Sequence, residues 1–293
     1  MKMAGVSDRI MKGSMLLTVS RAIVNGLGAI SMIVLARFLL PADFGIFAIG
    51  TTVLAVVQSF TDLSIGQSLI QRGALDREDL DTAWTLNGLR GAVVGLGLAL
   101  GAPLMAEAFS ESRLTAVMIA MGGSIALSGC SSPRLIAMQR ELQFWQISII
   151  DVIQKLSGVL STIVIAAIYH SYWALVIGAI VMQVVSTVMS YIIAPYRPRV
   201  SFARTKDIFS FSGWVSLGQI VNTLNWRIDY LLLGRFLSTR DVGYYSMGSN
   251  LALLPTREAI TPLTKTLFPG LASIASDKER LTRGYQRAQA LVT

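Results

Sequence analysis

The chain has 293 residues, of which 53% are hydrophobic and only 14% charged, with a mean hydropathy of +0.59. A soluble domain carries about 25% charged residues, so this composition excludes an ordinary globular fold and points to lipid. The net charge of +8, from 25 Lys and Arg against 17 Asp and Glu, comes without clusters of basic and aromatic residues, so no nucleic-acid partner is implied.

Apolar runs of roughly 20 residues are long enough to cross about 30 Å of hydrocarbon. They predict spans near 14–36, 44–68, 84–106, 114–136, 145–168, 172–194, 209–233 and 243–268, with a ninth beginning at Gln286. In lipid such segments form helices or a closed barrel, because every backbone polar group needs an internal partner. Stretches such as "GAVVGLGLALGAPLMA" lack the alternation of a barrel strand. The expected class is therefore an all-α, polytopic integral membrane protein. Val34-Leu35-Ala36 loosely fits a signal cleavage site, but the first apolar stretch is too long for one and carries Arg21, so it reads as a span.

The single cysteine, Cys130, permits no disulfide within the chain, and no Cys/His metal cluster exists. Cys130 reads as an inert small residue and His170 as a wet loop side chain. Basic residues set the orientation. Lys2, Arg9, Lys12, Arg72, Arg77, Arg134, Arg140, Arg197, Arg199, Arg204, Lys206, Lys278, Arg280, Arg283 and Arg287 fall on the side of the N-terminus. Only Arg37, Arg113, Arg235 and Arg240 fall opposite. The positive-inside rule then places the N-terminus in the cytoplasm.

The chain writes one short phrase twice. "VLARFLLPADFGIFAIG" and "LLLGRFLSTRDVGYYSMG" align at an offset of 198 residues (235 − 37). Leu35, Arg37, Phe38, Leu39, Asp43, Gly45 and Gly50 then match Leu233, Arg235, Phe236, Leu237, Asp241, Gly243 and Gly248. Upstream, "AIVNGLGAISMIVLARF" faces "QIVNTLNWRIDYLLLGRF" with one residue inserted. Both copies sit in outer connections separated by an even number of spans, so the halves are parallel repeats about an axis along the membrane normal. Locally the phrase describes a tight hairpin. Arg37 suits a helix C-terminus, Pro41 ends the preceding run, Asp43 caps the next helix and Gly45 permits close helix approach.

"LARFLLPADFGIFAI" followed by "QSFTDLSIGQSLIQR" resembles the polysaccharide-transporter branch of the multidrug/oligosaccharidyl-lipid/polysaccharide (MOP) exporter superfamily. The resemblance covers essentially the whole chain and is most specific through Arg72. It implies two six-helix lobes in a V around a central cavity, and export of undecaprenyl-pyrophosphate-linked oligosaccharides across the bacterial inner membrane. The N-terminal lobe would occupy 1–206 and the start of the C-terminal lobe 207–293. Subtracting the offset (293 − 198 = 95) places Thr293 at the third span of the second lobe, so about half a lobe is expected to be missing.

Charges held in the membrane are costly unless they serve a cavity or a partner. The inventory is Arg21, Arg90, Lys155, Arg227, Arg257 and Lys265 against Asp62, Asp151, Asp229 and Glu258. Gln219, Asn222 and Asn225 form a polar stripe leading to Arg227. Arg90 and Arg227, then Arg21, Arg257 and Lys155, are the expected substrate-cavity residues, with Arg able to grip phosphate oxygens in pairs. Asp62, without a basic neighbour on its own helix, and Asp151 are the candidates for coupling to a proton or sodium gradient. A structural reading pairs Asp151 with Lys155 four residues on.

No catalytic constellation and no Walker A loop occurs, so neither an enzyme nor a resident cofactor is expected. The acidic run Asp76, Glu78, Asp79 and Asp81 reads as a solvated helix start. "PYRPRVSFARTKD" reads as the link between lobes, lying at anionic headgroups, about which the lobes would rock. Alternatives are a drug or cation exporter of the same superfamily, or a membrane enzyme of polysaccharide assembly. Expected partners are the lipid-linked substrate, membrane lipids, and polymerase and glycosyltransferases of the same pathway.

Overall fold

A computed structural model describes residues 2–62, 65, 66, 69, 76–141 and 143–252. Arg257, Glu258, Lys265 and the ninth span lie outside these residues. The described chain is helical without strands: α1 (Lys2–Leu35), α2 (Pro41–Thr61), α3 (Arg77–Ala108), α4 (Arg113–Gly129), α5 (Arg134–Arg140), α6 (Phe144–Tyr169), α7 (Trp173–Ile193) and α8 (Thr205–Phe236). A further helix, α9, is described over 239–252. Met1–Met247 form one compact unit, and of the second unit, Gly248–Thr293, the described part is helical. Among the described residues, five helices are long and apolar enough to cross a membrane: Leu16–Leu35 of α1, and α2, α3, α6 and α7. The protein is a multi-pass, all-α membrane protein.

Two expected spans end early. The span expected over 114–136 stops at Gly129, leaving a 17-residue α4. The following "CSSP" turns the chain because Pro133 offers no N–H and crowds the residue before it. The exposed carbonyl of Cys130 accepts bonds from the Tyr191 hydroxyl (2.7 Å) and Trp84 Nε1 (3.4 Å). The span expected over 44–68 is α2, which starts at Pro41 and ends at Thr61. Proline fits a first helical position, where no N–H is needed. Near the other end, Ser59 and Thr61 hydroxyls bond back to the carbonyls of Val56 and Val57. Such bonds compete with the helix ladder, and Asp62 is already extended at φ −68°, ψ 112°.

Small residues set the helix spacing. A Cβ on Gly95 would lie 2.5 Å from the carbonyl oxygen of Gly122, and one on Gly122 would lie 2.6 Å from that of Gly95. The backbones of α3 and α4 therefore touch, and van der Waals contact replaces the hydrophobic drive that lipid removes. Ile46, Ile49 and Val53 of α2 are buried with Val117 and Met121 of α4, Tyr230 of α8 and Val242 of α9.

The acidic start of α3 is solvated only in part: Asp76 and Glu78 are exposed, whereas Asp79 and Asp81 are buried. Asp81 accepts bonds from the Tyr196 hydroxyl (2.9 Å) and the Arg199 N–H (2.8 Å). The Ser201 N–H reaches Thr85 Oγ1 at 3.0 Å. These bonds strap the 195–204 link to α3. Burial and the Asp81 carboxylate push the Tyr196 hydroxyl up to about 12, so it stays a donor. Phe202 and Val200 remain exposed on the strap, apolar side chains beside Arg197 and Arg199 that suit an anionic lipid surface.

Candidate functional site

The C-terminal end of α2 builds one wall of a polar cavity. Its 21 residues span about 31 Å at 1.5 Å per residue, so Asp62 lies at the far end from the Ala36–Leu40 hairpin. A helix C-terminus presents unpaired carbonyls and partial negative charge, and a carboxylate there adds to it. Arg90 of α3 answers both. Its Nη2 donates to the Gln58 carbonyl (3.3 Å), its Nε to Thr61 Oγ1 (3.4 Å), and its Nη1 lies 3.9 Å from Asp62 Oδ1. The partner that Asp62 lacks on its own helix comes from α3.

The opposite wall is α8. Gln219, Asn222, Thr223, Trp226 and Arg227 face Ala55, Gln58, Ser59, Asp62 and Arg90 across a cavity of about 400 Å³. The intervals on α8 are those of one helical face. Asn225, the third member of the expected stripe, falls off that face and is exposed. The Arg227 guanidinium sits 6.0 Å from the Tyr230 ring centroid, within cation–π range, and among the described residues it has no ion pair. Asp229, two residues away, points elsewhere: it accepts a hydrogen bond from the Tyr245 hydroxyl. Among the described residues, two guanidinium groups and one carboxylate line the cavity, one net positive charge (2 − 1 = 1).

Arg21, Asp151 and Lys155 do not line this cavity. With Ser20, Val24, Gln154 and Met182 they enclose a second pocket of about 200 Å³ between α1, α6 and α7. Asp151 and Lys155 form no ion pair. Gln154 Nε2 donates to Asp151 Oδ1 at 3.0 Å, and Arg21 supplies the opposing charge. Lys155 extends instead across Gly28, where a Cβ would lie 3.4 Å from its Nζ. The missing side chain on α1 gives the ammonium room to leave its own helix. Arg257 lies outside the described residues.

Ala55, Gln58, Ser59 and Thr223 were not singled out from the sequence. Their signal was present: 55, 58, 59 and 62 follow the i, i+3, i+4, i+7 spacing of a helix face, with polar residues where a lipid-facing stripe would be apolar.

The profile of the family described as "Polysaccharide biosynthesis protein" matches residues 34–293. The chain is similar to the lipopolysaccharide biosynthesis protein WzxC of Escherichia coli (strain K12), 26% identical over 289 residues, covering 97% of this chain and 59% of that protein. The succinoglycan biosynthesis transport protein ExoT of Rhizobium meliloti (strain 1021) is 24% identical over 280 residues, 91% of this chain and 53% of its own. The teichuronic acid biosynthesis protein TuaB of Bacillus subtilis (strain 168) is 21% identical over 289 residues, 97% and 59%. The chain therefore spans a little over half the length of these relatives.

Proposed function

The chain belongs to the polysaccharide biosynthesis protein family, and from that premise we propose that the whole protein is a flippase rather than an enzyme. It carries undecaprenyl-pyrophosphate-linked oligosaccharide repeat units from the cytoplasmic to the periplasmic leaflet of a bacterial inner membrane, with its N-terminus in the cytoplasm. The observation that supports this reading is the position of Arg90 and Arg227 on opposite walls of one polar cavity. The names of the similar proteins, two of which speak of lipopolysaccharide biosynthesis and succinoglycan transport, supply the class of cargo.

The physical problem is desolvation. A pyrophosphate must leave water to cross the bilayer, and opposing charges in a low-dielectric cavity are worth far more than at a surface. Arg227 is the freer cation, resting on an aromatic face with its donors unspent on an acid. Arg90 is held by three groups of α2, so its remaining N–H donors are pre-aimed. Asp62 competes with a phosphate for Arg90. In this reading Asp62 is one candidate for coupling cargo binding to an ion gradient. Asp151, faced by Arg21 in the second pocket, is the other candidate for coupling.

The test is complementation of polymer export by the full-length protein in a host lacking it. Arg227→Ala should abolish export at near-normal abundance in the membrane. Export at the parental rate from both Arg227→Ala and Arg90→Ala would refute the basic-cavity reading.

A further inference from the structure

The two copies of the repeated phrase touch each other. A Cβ on Gly45 would lie 1.7 Å from the carbonyl oxygen of Thr239, and a Cβ on Gly243 would lie 1.7 Å from that of Pro41. At the 198-residue offset Gly45 matches Gly243 and Pro41 matches Thr239 (41 + 198 = 239). Each copy therefore offers the same glycine to the same carbonyl of the other, which is the reciprocal pattern a two-fold axis produces. The N-terminal turns of α2 and α9 meet at that axis, and neither glycine admits even a methyl group.

The seam is closed, with Ile46 and Val242 buried beside it. Two helix N-termini bring like partial charges together. Each is capped from its own helix: the Leu40 N–H donates to Asp43 Oδ2 (3.0 Å), and the Asp241 N–H to Ser238 Oγ (3.3 Å). Beside the seam, the Glu111 carboxylate is gripped by Arg113 at 2.8 and 2.9 Å. Below it the apolar layer of Ile49, Val53 and Tyr230 separates the seam from the polar cavity.

We infer that the Gly45–Gly243 contact is the outer gate of the transporter, a self-complementary glycine seam that seals the cavity from the outer face and parts when the lobes rock. This rests on the flippase reading, and it names the contact that must break for the cargo to leave.

The experiment reads the gate without cargo. Val242 and Ile46, both fully buried beside the seam, are each replaced by cysteine in full-length protein lacking other reactive cysteines. A membrane-impermeant maleimide is then added from outside. Val242→Cys should label at least about tenfold faster when combined with Gly45→Leu, and Ile46→Cys likewise with Gly243→Leu. Gly97→Leu, where nothing lies within 4 Å of an added Cβ, should change neither rate. Unchanged labelling in the seam variants would overturn the inference. So would their loss from the membrane to the same degree as Gly122→Leu, since that would make the seam a fixed packing contact like Gly95–Gly122. Gly45→Ala, with the smallest added group, is read the same way. Faster labelling in a protein whose parent restores no polymer export would leave the gate standing and remove the flippase reading.

Discussion

The central cavity and the pocket beside α1 contain the same kinds of charge, two bases and one acid each, in different surroundings. In the cavity, Arg90 is clasped by the broken end of α2 and Arg227 lies on an aromatic ring, with amides and hydroxyls between them. In the pocket, the acid is satisfied by Gln154 and Arg21, while Lys155 stretches over a glycine and, among the described residues, meets no acid. We read a charge that a membrane protein builds a polar wall around as placed for a ligand. One that is merely given room is tolerated, at a cost of about 2.5–3.5 kcal/mol at the bilayer centre.

The largest expected effect that would break this contrast is at Arg227. Arg227→Ala should lower the export rate by about 100-fold or more, roughly 3 kcal/mol of lost phosphate interaction in a medium of intermediate dielectric, with abundance preserved. Arg227→Lys should recover part of the rate, because the point charge returns without the paired donors.

Arg90 should behave differently in kind. Arg90→Ala should also abolish export, but it takes one donor away from Asp62 and from two α2 acceptors. The partly exposed pair limits that cost to about 1 kcal/mol, read as a lower melting temperature. The double variant Arg90→Gln with Asp62→Asn should restore the melting temperature and not the export, separating the structural role from the transport role.

Lys155 should show the opposite sign. Lys155→Met removes a charge that has no acid beside it, so the melting temperature should rise while export stays within about threefold. A loss of export as deep as that of Arg227→Ala would place both pockets on the cargo's path and end the distinction.

The smallest effect lies outside both pockets. The Arg113 guanidinium beside Glu111, outweighing partial burial, holds that carboxyl below its usual 4.5. Its contribution is therefore fully present above about pH 4.5 and is lost as pH falls through the lower folded value. The melting temperature of the purified protein, followed from about pH 6 to about pH 3, should contain an acid-side decline that Glu111→Gln lacks.

Much of this was legible in the residues. Length and apolarity of the runs fix helices in lipid, since backbone groups have no other partner there. The repeat fixed the hairpins, and the need of Gly45 for a close neighbour was readable from its lack of a side chain. The stripe on α8 was readable from Gln219 and Asn222, and that on α2 from Gln58 and Asp62. What one helix's sequence does not contain is the identity of the neighbour. The Arg90–Asp62 pairing joins residues 28 apart (90 − 62) on separate helices, so no periodicity reveals it. The Asp151–Lys155 spacing permits an ion pair, but Gly28 on α1 decided where the lysine went. Asp81 looks solvated until the 195–204 strap, more than a hundred residues later, bonds to it. By itself the sequence determined that the chain is an all-α membrane protein and which phrases are equivalent, because burial in lipid and backbone sterics act along the chain. Only the tertiary structure decided which charges share a cavity and that the two equivalent glycines meet. Those depend on which faces of different helices are pressed together.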